Sequence, residues 1–136
     1  MKRIESTQNA LVKHWKKLVT LRKEREKSGE FLIEGFHLVE EALKRKEQIV
    51  QIIVRDGVDM PLLWPIDDVQ IVHVNEAVAK EISETEKSQG IYAHCKVKAY
   101  AVDEQATWRK VLLVDAVQDP GNIGTMIRTA DAAGID

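Results

Sequence analysis

Arg128 and the glycines before it are the residues whose types and spacing most directly suggest chemistry. Gly121 and Gly124 let another molecule approach the backbone closely, and Arg128 follows four residues after Gly124. Because helical side chains lean toward the N-terminus of their helix, Arg128 is expected to lie over Gly124 and Thr125, where its guanidinium can reach a ligand. Asp131 shares that helical face, so an ordinary surface ion pair with Arg128 is the alternative.

A strand, a loop and a helix must hold these residues in place. Residues 111–114 are an apolar run with a β-branched valine at each end, typical of a buried strand, and residues 119–122 are turn formers. Apolar residues then recur at helical spacing, with Asn122 or Thr125 as the expected N-cap and Gly134 as the stop. The loop would direct free backbone N–H groups and the positive end of a helix dipole toward an anionic or strongly polar ligand.

Composition places the chain among globular proteins. It has 136 residues, of which 44% are hydrophobic and 31% charged, and no apolar run is long enough to span a membrane. The first residues lack the apolar core of a secretory signal, so the cytoplasm is the expected compartment. Cys95 is the single cysteine and is expected to be a buried strand residue, and the four histidines show no ligand spacing, so no metal is expected.

Charge is concentrated near the N-terminus. Residues 1–30 hold nine basic and four acidic residues, a net charge of +5, so the remainder carries −7 of the total of −2. Residues 9–27 have the periodicity of one amphipathic helix, with Arg22 and Arg25 near its apolar face. This pattern suits an anionic partner, although a solvated helix face, with Arg25 paired to a carboxylate such as Glu34, explains it as well.

Strand and helix patterns alternate along the next seventy residues. Strands are expected at 31–33, 49–54, 69–74 and 91–97, with helices at 36–43 and 76–83, the second capped by Asn75. The proline-containing segment 59–68 is expected to be irregular and to pack Trp64 against the body. The predicted fold class is therefore α/β, with a mainly parallel sheet in a domain at 1–97, a linker at 98–109 and a second domain beginning at 110.

Two parts of the chain resemble one family. The run from Leu113 to Gly134, LVDAVQDPGNIGTMIRTADAAG, resembles the first signature motif of the SpoU (TrmH) RNA 2′-O-ribose methyltransferases, which have the knotted SPOUT fold. Shorter N-terminal runs resemble that family's substrate-binding domain, which is similar to RNA-binding ribosomal proteins. They are IESTQN with VK, then an arginine before GEFLIEG and VEEAL, and finally SQGIYA.

The resemblance implies methyl transfer from S-adenosylmethionine to a ribose 2′-hydroxyl of ribosomal or transfer RNA. It implies that Arg128 lies at that hydroxyl and that Asn122 supports it, while a cap or turn role is the alternative for Asn122. The expected RNA contacts lie on the basic N-terminal segment, at Asn9, Lys13, Lys17, Arg22 and Arg25.

The family binds its cofactor through later motifs, which these 136 residues do not include. The residues at 110–136 are therefore expected to be the incomplete start of the methyltransferase domain, without the cofactor pocket, the knot or much of the homodimer interface. Two hypotheses follow. The chain is an inactive N-terminal fragment of an RNA methyltransferase, or it is a stand-alone RNA-binding module without catalysis.

Overall fold

The structure, a computed structural model, describes residues 2–45, 48–98 and 107–136. The chain divides into two compact units, Met1–Ala99 and Tyr100–Asp136. The linker predicted at 98–109 lies mostly outside the described residues. The helices and strands of the first unit are β1 (Lys2–Ile4), α1 (Ala10–Thr20), α2 (Arg22–Ser28), β2 (Glu30–Glu34), α3 (Phe36–Leu43), β3 (Ile49–Arg55), β4 (Ile71–Val74), α4 (Glu76–Ile82) and β5 (Ile91–Lys96). The second unit contains α5 (Pro120–Ala132).

One five-stranded sheet, in the order β1-β4-β3-β5-β2, forms the centre of the first unit. The pairs β1–β4 and β3–β4 are parallel, whereas β5 runs antiparallel to both β3 and β2. The predicted α/β class is confirmed. Parallel pairing holds on the β1-β4-β3 side, and the sheet as a whole is mixed because β5 enters in the opposite direction.

Each face of the sheet has its own core. Ile53 lies in the core under α1 and α4, together with Trp15 of α1 and Tyr92 of β5. Ile52 and Val54, its neighbours in β3, point to the other face. That alternation is the two-residue repeat of a strand covered on both sides. On this second face Trp64 is buried as predicted, with its ring centroid 5.8 Å from that of Phe36.

The single helix predicted at 9–27 is wrong, because two helices, α1 and α2, occupy this segment. Leu21 breaks it with an extended backbone (φ −119°, ψ 106°) and is half exposed. The Arg25 guanidinium donates to the carbonyl oxygens of Leu18 (2.7 Å) and Val19 (3.3 Å), which satisfies acceptors that the break leaves open. The proposed ion pair between Arg25 and Glu34 is also wrong, since Glu34 instead accepts from the Thr85 hydroxyl at 2.7 Å.

The remaining predicted elements of the first unit are confirmed to within a few residues, and one strand was missed. Asn75 caps α4 by accepting from the backbone N–H of Val78 at 3.0 Å. The missed strand is β1, whose three residues include Lys2 and Arg3 and show no apolar pattern. It forms by parallel pairing with β4, which the local sequence does not reveal.

The strand predicted at 111–114 is wrong. These residues are irregular and exposed, with Leu113 at 89%. A strand requires a neighbour for its N–H and C=O groups, and the described part of the second unit provides no such neighbour. Instead, the Asp136 carboxylate accepts from the backbone N–H groups of Arg109 (2.9 Å) and Lys110 (3.0 Å), and this joins the C-terminal residue to the residues just before 111–114.

Candidate functional site

Helix α5 begins earlier than the sequence predicted. Asp119 is its N-cap, accepting from the backbone N–H of Gly121 at 2.9 Å, and Pro120 occupies the first helical position. The predicted caps at Asn122 and Thr125 are therefore wrong, and the residues expected in an open glycine loop form the first turns of the helix. Gly134 follows the end of α5 with φ +74°, as its predicted role as a stop requires.

Arg128 leans back along α5 as predicted. Its Nη1 lies 3.3 Å from the position that a Cβ would take at Gly124, and its Nη2 donates to the Thr125 hydroxyl at 3.3 Å. Within the described part of the chain it forms no ion pair with Asp131. Because Gly124 has no side chain, the Arg128 guanidinium can lie over it. Most of the guanidinium N–H groups still face solvent.

Asn122 is exposed in the first turn of α5, six residues before Arg128. Ideal helix geometry places two such residues about 9 Å apart along the axis and on different faces. The described residues therefore do not bring the two side chains into contact. A molecule that touches both would have to lie across the N-terminal half of the helix.

The four basic residues that are predicted to contact RNA fall into two groups. Lys13 and Lys17 are exposed on α1 and have no ion-pair partner among the described residues. Arg22 pairs with Glu26 at 2.9 Å, and Arg25 is occupied by the α1 carbonyls. Among these four residues, the charge available to an external anion is therefore on α1, and Lys23 and Lys27 of α2 are also exposed without an ion-pair partner among the described residues.

Asn9 has a structural role in this unit. Its side chain accepts from the backbone N–H of Leu11 at 2.9 Å, which makes it the N-cap of α1. The amide nitrogen of the Asn9 side chain is left to face solvent beside the lysine face.

A cluster that sequence spacing missed lies between α1 and the sheet. His94 Nε2 lies 2.5 Å from one carboxylate oxygen of Glu30, and His14 Nε2 lies 3.5 Å from the other. On the far side of the His94 ring, Nδ1 accepts from Trp15 Nε1 at 3.4 Å and lies 3.2 Å from the side-chain amide of Gln51. The three residues are 16 and 64 positions apart, so only the fold brings them together.

Burial sets the ionisation of this cluster. It lowers the pKa of His94, although the Glu30 carboxylate acts in the opposite direction. Burial also opposes ionisation of Glu30, but the hydrogen bond and charge of His94, together with His14, hold the pKa of Glu30 below its usual value. The hydrogen bonds place the ring hydrogen on Nε2, because Nδ1 accepts from Trp15, and Nε2 therefore donates to the Glu30 carboxylate.

None of the helices in the described residues combines the length and the apolar character needed to cross a bilayer.

The fold and the family comparison define a class of protein. The model of the MRM3-like substrate binding domain matches residues 9–93, from α1 into β5. A solved RNA 2′-O ribose methyltransferase superposes with a TM-score of 0.71 at 31% identity, covering 98% of this chain and 53% of the other. The chain therefore belongs to the SpoU (TrmH) family of RNA methyltransferases.

Within that family, one relative is 52% identical to this chain. The chain is 52% identical over all of its 136 residues to the 23S rRNA (guanosine(2553)-2′-O)-methyltransferase RlmP of Bacillus subtilis, of which it covers 53%. An AdoMet-bound rRNA methyltransferase of Sinorhizobium meliloti superposes with a TM-score of 0.71 at 27% identity, with 98% of this chain and 52% of that one covered. The chain thus spans about half the length of the relatives that it matches.

Proposed function

We propose that this chain supplies RNA recognition and the first catalytic motif of a ribosomal RNA 2′-O-ribose methyltransferase acting in the cytoplasm. The observation that carries the proposal is the 52% identity to RlmP, which extends over both units and includes the α5 segment. The basic face of α1 supports an RNA substrate, and the exposed guanidinium of Arg128 supports the chemistry. The domain division at 1–97 and 110–136 is part of this proposal.

Ribose methylation requires a 2′-hydroxyl to attack a methyl group in line and to lose its proton during the attack. Charge develops on the sugar oxygen, so a cation held beside it lowers the barrier. Arg128 fits this role as an electrostatic stabiliser, because its guanidinium stays protonated and Gly124 leaves room for it. Asn122 would position the sugar from the first turn of α5.

S-adenosylmethionine is the methyl donor that the family resemblance implies. None of residues 107–136 is buried, so the described part of the second unit does not enclose an adenosine and an amino acid. We infer that donor binding, the homodimer and methyl transfer all require further residues, and that these 136 residues alone are inactive. The inference is supported by relatives about twice as long. Micromolar S-adenosylmethionine binding by this chain in calorimetric titration would contradict it.

Arg128→Ala in the complete enzyme tests the catalytic part of the proposal. Removing one preorganised stabilising group lowers kcat by about 10²–10³-fold in comparable sites. We expect a loss of that size in transfer of a labelled methyl group to ribosomal RNA, with Kd for RNA nearly unchanged. Asp131→Asn, one turn further along α5, is the matched control and should retain activity. Equal rates for Arg128→Ala and the wild type would remove Arg128 from the mechanism.

A stand-alone RNA-binding module is the second candidate, because the first unit has a complete sheet with a core on each face.

Both candidates require RNA binding through α1. We expect the double variant Lys13→Gln, Lys17→Gln to weaken binding of structured ribosomal RNA and to reduce the slope of log affinity against log salt by about 2. Fluorescence anisotropy over a salt series measures this.

The matched control changes the same charge on the opposite face of the sheet. Lys44→Gln with Arg45→Gln, just after α3, should leave both affinity and salt slope unchanged. If the two double variants behave alike, α1 is not the RNA-binding surface. Methyl transfer by a longer form of the protein decides between enzyme and binding module.

A further inference from the structure

Three side chains with metal-binding atoms converge at the edge of the first unit. His14 is on α1, Glu30 begins β2 and His94 is on β5, so three separately packed elements supply them. One ligand atom from each residue lies within 4.8 Å of the other two. Both imidazoles direct Nε2 toward the same carboxylate, so the three ligand atoms face a common space.

The cluster is buried on the side of His94 and open to solvent on the side of His14 and Glu30. The His94 side chain is only 4% exposed and contacts Trp15 and Gln51 through Nδ1. His14 and Glu30 keep 28% and 19% of their side-chain surface, so an ion can enter from solvent without unfolding the domain. The fixed ring and the accessible carboxylate make a preorganised site.

We propose that His14, Glu30 and His94 bind a divalent transition-metal ion of the zinc class. Two imidazole nitrogens and one carboxylate oxygen are ligands of zinc, cobalt and nickel, whereas magnesium and calcium require mainly oxygen ligands. Three protein ligands leave a fourth position for water. The bound ion would join α1 to β2 and β5, and so stabilise the helix that carries Lys13 and Lys17.

Binding changes the position of one proton. Without the ion, Nε2 of His94 donates its hydrogen to Glu30. The ion takes the place of that hydrogen, and the neutral ring then carries its proton on Nδ1, with solvent mediating the exchange. Gln51 can accept from Nδ1 once its amide presents oxygen instead of nitrogen. Trp15 Nε1–H loses its acceptor in this state, which makes the site weaker than a closed structural zinc site.

Cobalt(II) titration of the untagged, chelator-treated chain tests the proposal. We expect a visible absorption band typical of low-coordinate cobalt, its displacement by Zn²⁺, and a higher Tm in the presence of Zn²⁺. His14→Gln and Glu30→Gln should each abolish the band and the Tm shift. His37→Gln is the matched control, since His37 is exposed on α3, away from the cluster.

Glu30→Gln retains an acceptor for His94, and circular dichroism verifies that each variant is folded. Zn²⁺-dependent shifts of the His14 and His94 ring signals in NMR spectra of the wild-type chain provide a readout that needs no variant. Absence of both the cobalt band and these ring shifts overturns the proposal. It is equally overturned if the His37→Gln and His14→Gln variants respond alike, because binding would then be at scattered surface groups.

Discussion

At the residue scale, Cys95 shows how position on a strand determines reactivity. It lies in β5 on the face covered by α3 and is buried, as the sequence predicted. Burial raises the pKa of its thiol to about 11, from an ordinary value of 9.0. At neutral pH almost no thiolate is present, and the thiolate is the reactive form. Cys95 is therefore a packing residue.

We expect Cys95 to resist alkylation in the folded chain. The raised pKa alone reduces the thiolate fraction about 100-fold near pH 8, and burial restricts access further. Iodoacetamide labelling followed by mass spectrometry measures this, and the same chain in guanidinium chloride is the control. Labelling at similar rates in both conditions would show that β5 opens readily or that the thiol is accessible.

At the element scale, the boundary between α1 and α2 at Leu21 is supported by the side chain of Arg25, four residues further along the chain. Arg25 reaches back from α2 to the carbonyl of Leu18, and the periodicity of residues 9–27 does not reveal this contact. Its position near the apolar face was visible in the sequence. Its acceptor was not, because helical spacing gives the direction of a side chain and no information on where the backbone breaks.

Arg25→Ala should destabilise the first unit by about 1–3 kcal/mol, because two carbonyl groups lose a charged donor at a partly buried position. Urea unfolding followed by circular dichroism measures this. Arg22→Ala is the control, since its exposed i,i+4 pair with Glu26 is worth only about 0.3–0.5 kcal/mol. Equal free energies of unfolding for the two variants would show that the Arg25 contacts do not support the break.

Elements with strong local signals were predictable from the sequence, and elements that depend on partners were not. Helix α3 and the Asn75 cap follow from spacing and capping chemistry within a few residues. β1 forms only because β4 lies beside it, and residues 111–114 remain irregular because the described residues offer no such neighbour. At the site, the lean of Arg128 follows from helix geometry, whereas the cluster around Glu30 requires the complete fold.

At the scale of the whole molecule, the two units differ in how much they bury. The first has two cores on either side of one sheet. In the second, large apolar side chains such as Trp108 and Ile127 are half exposed or more, and no side chain of α5 is buried. Helices of this length without packing are marginal in water. The second unit should therefore open far more readily than the first.

Hydrogen exchange should reveal that difference directly. We expect backbone amides of α5 to be protected at least about 100-fold less than those of β3 and β5, because local opening costs less where no core is lost. Exchange followed by NMR or by mass spectrometry of peptides resolves the two units within one sample. Comparable protection in α5 and β5 would mean that α5 is stabilised by contacts other than burial.

The hydrogen bonds of Asp136 have a further consequence for chain geometry. Its backbone N–H donates to the carbonyl of Lys110 at 3.0 Å, so the backbone leaving α5 returns beside the residue that precedes the irregular segment 111–114. A residue that followed Asp136 would begin next to Lys110, the residue that leads into 111–114. The segment 111–114, which has no strand partner among the described residues, thus begins beside one backbone hydrogen bond from which pairing with a further stretch of backbone could start.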